Sequence, residues 1–367
     1  MKDLKPIGVE HLQNGQSVAS LQTGRGLFAI WDMDTIKTNS AYMPLGLFVQ
    51  GNQVRYGLGN DATGGSANGM VQIGNLGMWG DRSDFRVCVF GFRYKPGNKS
   101  GIAQFGVRLA RLTADQSANP DNILLSIPAN SPEGYYEIVI RPYLNTGTTY
   151  GASVYKDGDL ISTPGIVYTL NASSFKNAFF CIGSAVTTMM SSASALAGDY
   201  TFSMEDMYTA WSNVGDEDIR LGPIRIKRIP YVSVDPSAWT AVGGKTPKDI
   251  LNLSGNGGAL RTDYLTNDPA NSSIKCKLDV SVLKDIDRVV ALGVSSSAWR
   301  DGGTVGSLGV KWKHPDGETL PTTHSPTTGI YRTQFDVLNP TLITTPGGAA
   351  LTKTSLAALE LVVTPSA

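Results

Sequence analysis

Phe85-Arg86-Val87-Cys88-Val89-Phe90-Gly91-Phe92-Arg93-Tyr94 decides the fold class. Side chains alternate across a strand, so Phe85, Val87, Val89 and Gly91 share one face, and Arg86, Cys88, Phe90 and Phe92 share the other. Both faces are partly apolar, which suits a central strand covered on two sides. Working outward, the same texture recurs at Gly26–Asp32, Leu45–Gln50, Ala103–Arg111, Tyr135–Tyr143, Ser153–Lys156, Phe179–Gly183 and Ile224–Ile229. Clusters of Gly, Asn, Asp, Pro and Ser separate these runs, the signature of strands and turns. Asp157-Gly158, set between Val154-Tyr155 and Leu160-Ile161, is a strong hairpin signal. Lys95-Pro96-Gly97-Asn98 reads as another turn.

Helical patterning is scarce. Tyr200–Ala210 is the best helical stretch, and Asp249–Leu253 could form one turn. The fold class is therefore all-β, with two β-sandwich domains of jelly-roll type and long Gly/Ser/Thr/Asn-rich loops. A boundary is expected near Pro230–Pro236, where a strand ends at proline and Asp235-Pro236 restarts the chain. That gives an N-terminal arm (1–23), a first sandwich (24–230) and a second, smaller one (231–367). Strands of the second are expected at Ser273–Val280, Arg288–Val294, Gly306–Trp312, Tyr331–Val337 and Leu356–Val363.

Composition narrows the function. Lys and Arg number 31, as do Asp and Glu, for a formal net charge of zero. Binding to nucleic acid is driven by neutralising phosphate, so a neutral chain is a poor partner for it. Charged residues make up only 17% and hydrophobic ones 41%, which argues against disorder. The three cysteines, Cys88, Cys181 and Cys276, form no disulfide framework and read as small buried apolar residues. The N-terminus shows no signal peptide, and no apolar run is long enough to insert into a membrane.

From about Gly24 to Pro230 the pattern resembles the concanavalin A-like, or laminin G-like, sandwich. Two features carry the likeness. Tyr135-Tyr136-Glu137-Ile138-Val139-Ile140, followed by Ala152–Ile161 with its Asp157-Gly158, is similar to that family's hairpin. Phe202-Ser203-Met204-Glu205-Asp206-Met207-Tyr208 resembles the family's near-terminal strand, where acidic residues precede an alternating run. The resemblance implies sugar or protein binding. The whole chain also resembles bacteriophage virion proteins in its general make-up, being neutral, free of a disulfide framework and rich in small polar residues. That resemblance implies a tail, fibre or related particle component, made in the host cytoplasm and located in the virion. Its partners would be copies of itself, other virion proteins and a host-surface glycan. The alternatives are a head decoration protein, or a non-virion carbohydrate-binding protein or glycoside hydrolase.

Chemistry is sparsely supplied. His11, His314 and His324 are the only histidines, with no His or Cys pair at zinc spacing. The Gly-rich run Leu253–Gly258 lacks the lysine of a phosphate loop. Hydrolases of the sandwich family use two carboxylates on one face of a strand, which requires even spacing. Glu205 and Asp206 are adjacent and are expected on opposite sides. Asp216 and Asp218 share a side but read as loop residues, and a Gly-Tyr-Tyr turn is expected between Glu133 and Glu137. The expectation is no enzyme, no cofactor and no metal. Ligand binding has two candidate loops instead. Trp79, Asp81, Arg82 and Asp84 stand in one, and Trp299, Arg300 and Asp301 in the other. Trp faces stack on sugar C–H surfaces, and Asp and Arg bond hydroxyls. The competing reading is that each Trp plugs the end of its sandwich.

Overall fold

The computed structural model describes residues 3–7, 47–50, 53–56, 70–75, 87–97, 105–112, 118–128, 131–142, 149–163, 166–169, 178–184, 202–213, 218–253, 262–266, 272–283, 289–298, 300, 306–325, 332–337 and 344–366. The chain divides into two compact units, the first ending at Ile226 and the second taking up at Lys227.

The first unit contains β1 (Asp3–Ile7), β2 (Leu47–Gln50), β3 (Gln53–Tyr56), β4 (Met70–Asn75), β5 (Val87–Pro96), β6 (Phe105–Leu112) and β7 (Ala118–Ile127). It continues with β8 (Gly134–Pro142), β9 (Thr149–Lys156), β10 (Asp159–Ser162), β11 (Ile166–Thr169), β12 (Ala178–Ser184) and β13 (Phe202–Ser212). The larger sheet has nine strands in the order β10-β9-β8-β5-β13-β3-β2, with β1 on β13 and β11 on β9. The smaller sheet runs β4-β12-β6-β7. All these pairings are antiparallel. This is the all-β sandwich architecture that the alternation predicts.

Register explains the core. Phe92 lies opposite Tyr136, Phe90 opposite Ile138 and Cys88 opposite Ile140, so these side chains line one face of the larger sheet. All are buried. Phe90, Phe92, Tyr136 and Tyr94 form a continuous aromatic chain, with ring centroids 5.0 to 6.3 Å apart. On the smaller sheet Val107, Leu125 and Ile127 share a face by register and are likewise buried. The β9–β10 hairpin turns where expected: Asp157 and Gly158 both take positive φ (52° and 98°), as a type I′ turn requires.

Two sequence expectations are overturned here. Tyr200–Ala210, expected as the best helical stretch, is a strand from Phe202 on: β13, buried along its whole length, pairs with β5, β3 and β1. A strand buried on both faces lacks clean alternation, which is why its run looks helical. Conversely Ile224–Ile229 is no strand. The Ile226 N–H donates to the Asp206 carboxylate and the Ile224 carbonyl accepts from Arg93, so side chains rather than a ladder satisfy these groups. The expected strand Gly26–Asp32 lies outside the described residues.

The second unit contains β14 (Tyr231–Asp235), β15 (Thr240–Val242), α1 (Pro247–Leu251), β16 (Tyr264–Thr266), β17 (Ile274–Leu278), β18 (Gly293–Ala298), β19 (Ser307–His314), β20 (Gly317–Glu318), β21 (Thr322–His324), β22 (Arg332–Val337), α2 (Lys353–Ala358) and β23 (Glu360–Ser366). Six strands form one sheet in the order β14-β17-β23-β19-β20, with β21 on β19; β15–β16 and β18–β22 are separate pairs. Leu356–Val363, expected as one strand, is split: α2 ends at Ala358 and β23 begins at Glu360. Thr352 and Ser355 form a reciprocal capping box that starts α2. The core joins Ile274, Cys276 and Leu278 to Val294, Val310, Trp312, Leu356 and Leu361. Trp312 is therefore packing, as its position in a strand predicts, and burial pushes the Cys276 thiol up to about 12.

Candidate functional site: the polar face of the larger sheet

The face of the larger sheet opposite the aromatic chain is polar over the rungs of Glu205 and Tyr208 and apolar beyond them, where Val89 lies between Ala210 and Val139. Gln53, Glu205, Arg93 and Tyr135 form one rung across β3, β13, β5 and β8. Tyr208, Gly91, Glu137 and Tyr155 form the next, across β13, β5, β8 and β9. Further along β13, Ser203 lies opposite Lys95.

A bulge builds this arrangement. Glu205 pairs with Arg93 and Tyr208 with Gly91, so Asp206 and Met207 together oppose a single residue of β5, Phe92. Asp206 takes the left-handed conformation, φ 52°, which Asp tolerates better than most residues. Simple alternation would send Tyr208 to the aromatic side. The extra residue returns it to the polar side and turns the Asp206 carboxylate the same way. The expectation that Glu205 and Asp206 face opposite sides is thus corrected. Both converge on Arg93, whose Nε lies 3.7 Å from Glu205 Oε1 and 3.1 Å from Asp206 Oδ2. The expected turn between Glu133 and Glu137 is corrected too, because Gly134 begins β8. Glu133 stands just before that strand, 3.5 Å from Arg93 Nη1.

Glu137 is the centre of the site. It is 2% exposed, and one carboxylate oxygen accepts the Tyr208 hydroxyl and the N–H groups of Leu221 (3.1 Å) and Gly222 (2.9 Å). Gly91 makes this possible: a Cβ there would stand 2.1 Å from Tyr208 Cε1, so only glycine lets the ring cross β5. Burial, reinforced by the Glu137 charge, pushes the Tyr208 phenol far above its ordinary value and keeps it a proton donor. Burial likewise raises Tyr135, whose hydroxyl donates to the Asp206 carbonyl at 3.0 Å. Asp206 is raised as well, because its desolvation outweighs the Ile226 N–H and Arg93.

Residues 218–226 lie over this face as a strap without regular secondary structure. Its peptide groups are held by Glu137, Asp206 and Arg93. Its Arg220 guanidinium sits 3.8 Å from the centre of the Tyr155 ring and is gripped by Asp218 through two bonds of 2.9 and 2.7 Å. Arg220 in turn holds the Asp218 carboxyl below the usual carboxylate range. At the other end, Lys95 Nζ is 2.5 Å from Glu205 Oε1.

The loop candidates fare differently. Trp79, Asp81, Arg82, Asp84, Trp299 and Asp301 lie outside the described residues, and Arg300 is half-buried. Of the residues in the site, Glu133, Glu137, Glu205, Asp206 and Asp218 are candidates already in the sequence, as carboxylates. Arg93, Lys95, Tyr208 and Arg220 are not, because only register brings them together. Among the described residues no three of His, Cys, Asp and Glu are placed to share a metal ion.

No protein-family model matches the sequence, and a search of curated proteins finds no match. Solved structures do resemble it. A variant of alginate lyase Aly36B in complex with alginate trisaccharide is 8% identical, covering 57% of this chain and 99% of its own, with a TM-score of 0.34. Family 7 alginate lyase A1-II′ with bound substrate is 12% identical, over 59% and 95%, with a TM-score of 0.29. The CBM22-1-CBM22-2 tandem domain of Paenibacillus barcinonensis Xyn10C is 11% identical, over 86% and 80%, with a TM-score of 0.22. The expectation of no enzyme is corrected here: the similar structures include alginate lyases. None of the structures named here is a phage particle protein.

Proposed function

We propose that the first unit is a carbohydrate-recognition sandwich that takes a polysaccharide across the polar face of its larger sheet. One observation carries the reading. Tyrosines, carboxylates and cations alternate on consecutive rungs of a rigid sheet, the mix that sugars need: planes for C–H surfaces and charged partners for hydroxyls. This reading takes precedence over the virion one, which rests on composition, the all-β pattern and the jelly-roll resemblance, with no motif of its own. The test is binding of the intact protein to a polysaccharide panel, repeated with Tyr155→Ala and Lys95→Ala. Both variants should lose at least tenfold in affinity with an unchanged circular dichroism spectrum. Binding that both variants retain in full would sink the assignment to this face.

A second reading, polysaccharide cleavage, is favoured by the Tyr208–Glu137 pair, a phenol and a carboxylate hydrogen-bonded in a buried position. It predicts new chain ends on incubation with a bound polysaccharide, and their loss in Tyr208→Phe. A bound polymer left intact by the parent protein would exclude it.

A further inference from the structure

We infer that the strap at residues 218–226 is a stand-in for the glycan, and that the face beneath it takes a neutral polysaccharide rather than a polyuronate. The inference rests on the proposed carbohydrate reading and names the class of ligand for that site. The strap's groups do what a sugar chain would do. The adjacent N–H groups of Leu221 and Gly222 donate as a pair to one oxygen of Glu137, as vicinal hydroxyls can. The Ile226 N–H donates to Asp206 at 2.8 Å, and the Ile224 carbonyl accepts from Arg93. The flat Arg220 guanidinium covers Tyr155, the place of a ring face.

Two unsatisfied groups lie on the same face. Ser203, 1% exposed, has a hydroxyl with no hydrogen-bond partner, on the strand position opposite Lys95. Arg141, on the same side of β8 as Glu137, has a buried Nε without one. A buried polar atom without a partner is costly, and a ligand polar group would relieve it.

The chemistry behind the strap selects the ligand. Once the strap lifts, Glu137 loses two donors and Asp206 loses one. An incoming chain must supply donors, which the hydroxyls of either class of sugar can do, so the choice between the classes falls to charge. Among the described residues, Glu137, Glu205 and Asp206 are the buried charged groups of this face, and a uronate beside them adds like-charge repulsion in a poorly solvated place. Three of the cations on this side are already engaged, Arg93 by Glu133, Glu205 and Asp206, Lys95 by Glu205, and Arg220 by Asp218, which among the described residues leaves Arg141 alone against three buried carboxylates.

The experiment uses the intact protein, a panel of neutral hexasaccharides (β-glucan, xylan and mannan types) and an alginate hexasaccharide. Affinities are measured by calorimetry, and amide exchange is followed at Leu221, Gly222 and Ile226. The companion variant is Gly222→Ala. Gly222 has φ +69° with open space around its Cα, so an alanine there strains the strap and touches nothing on the sheet. A neutral hexasaccharide should bind at least tenfold more tightly than alginate and should speed exchange at the three strap amides. Gly222→Ala should bind it up to about tenfold more tightly than the parent, on the order of the left-handed penalty of a non-glycine residue. Preference for alginate overturns the ligand class and leaves the carbohydrate reading standing. Neutral binding with unchanged strap exchange and unchanged affinity in Gly222→Ala overturns the strap's role alone. If no sugar of either class binds parent or variant, both readings fall.

Discussion

Replacing Glu137 with alanine removes the acceptor for three donors, and the structure says what each then faces. The Leu221 N–H keeps a partner, since the Tyr208 hydroxyl oxygen stands 2.9 Å away. The Gly222 N–H and the Tyr208 hydroxyl, the latter on a residue 0% exposed, lose the acceptor they share. Each orphaned group costs about 1–3 kcal/mol, so the two together cost about 4 kcal/mol. At 1.36 kcal/mol per tenfold, that is roughly a thousandfold in the local opening constant. Glu137→Gln is the contrasting variant. It keeps an acceptor oxygen and loses the charge, so it should cost about 1 kcal/mol, the gap between charged and neutral hydrogen bonds. Native-state amide exchange at Leu221 and Gly222 is the suitable assay, because a chain of two units need not unfold in one step. The expected order of exchange is parent slowest, Gln about fivefold faster, Ala fastest by far. Equal exchange in Ala and Gln, or no change in either, would refute the account of Glu137 as the clasp of the strap.

Three other outcomes follow from the same geometry. Gly91→Ala should destabilise the first unit by about 1–3 kcal/mol through the clash with Tyr208, and Tyr208→Ala should relieve it. A double-mutant cycle by urea denaturation checks this, and strict additivity would count against the close approach. Burial raises the Asp206 carboxyl above its ordinary 3.8, so its contribution is full below that value and is lost as pH rises through the folded value. The stability of the parent relative to Asp206→Asn should therefore fall with rising pH above 3.8, read from urea midpoints at several pH values; a flat difference would contradict it. In the second unit the Thr345 hydroxyl, with help from His314 and the Gly347 N–H, holds the Asp316 carboxyl low. That contribution is present above the ordinary value and is lost as pH falls through the folded one. Asp316→Asn should thus matter near neutrality and cease to matter in acid, in the same assay.

Much of the fold was legible in the sequence. The alternation of Phe85–Tyr94 gave β5 its central place, and Asp157-Gly158 marked its hairpin because only a few residues tolerate two positive φ values. The site was legible only in part. Glu137, Glu205 and Asp206 stood out as carboxylates, but their convergence depends on one extra residue in β13. That bulge leaves no mark in the sequence beyond an Asp, and it reverses the side assigned to Tyr208. Ile224–Ile229 alternates as a strand does, yet its first residues run as a strap because Asp206 and Arg93, distant in sequence, take up their backbone groups. Tyr200–Ala210 misled for the opposite reason: a strand covered on both faces has no polar side to reveal its period.

The most direct test of the central claim is where a bound sugar lands. Hydrogen exchange of the intact protein, with and without a saturating neutral oligosaccharide, maps it. The account predicts changes confined to β5, β8, β9, β13 and residues 218–226. A footprint on the second unit, with that face unaltered, would contradict it.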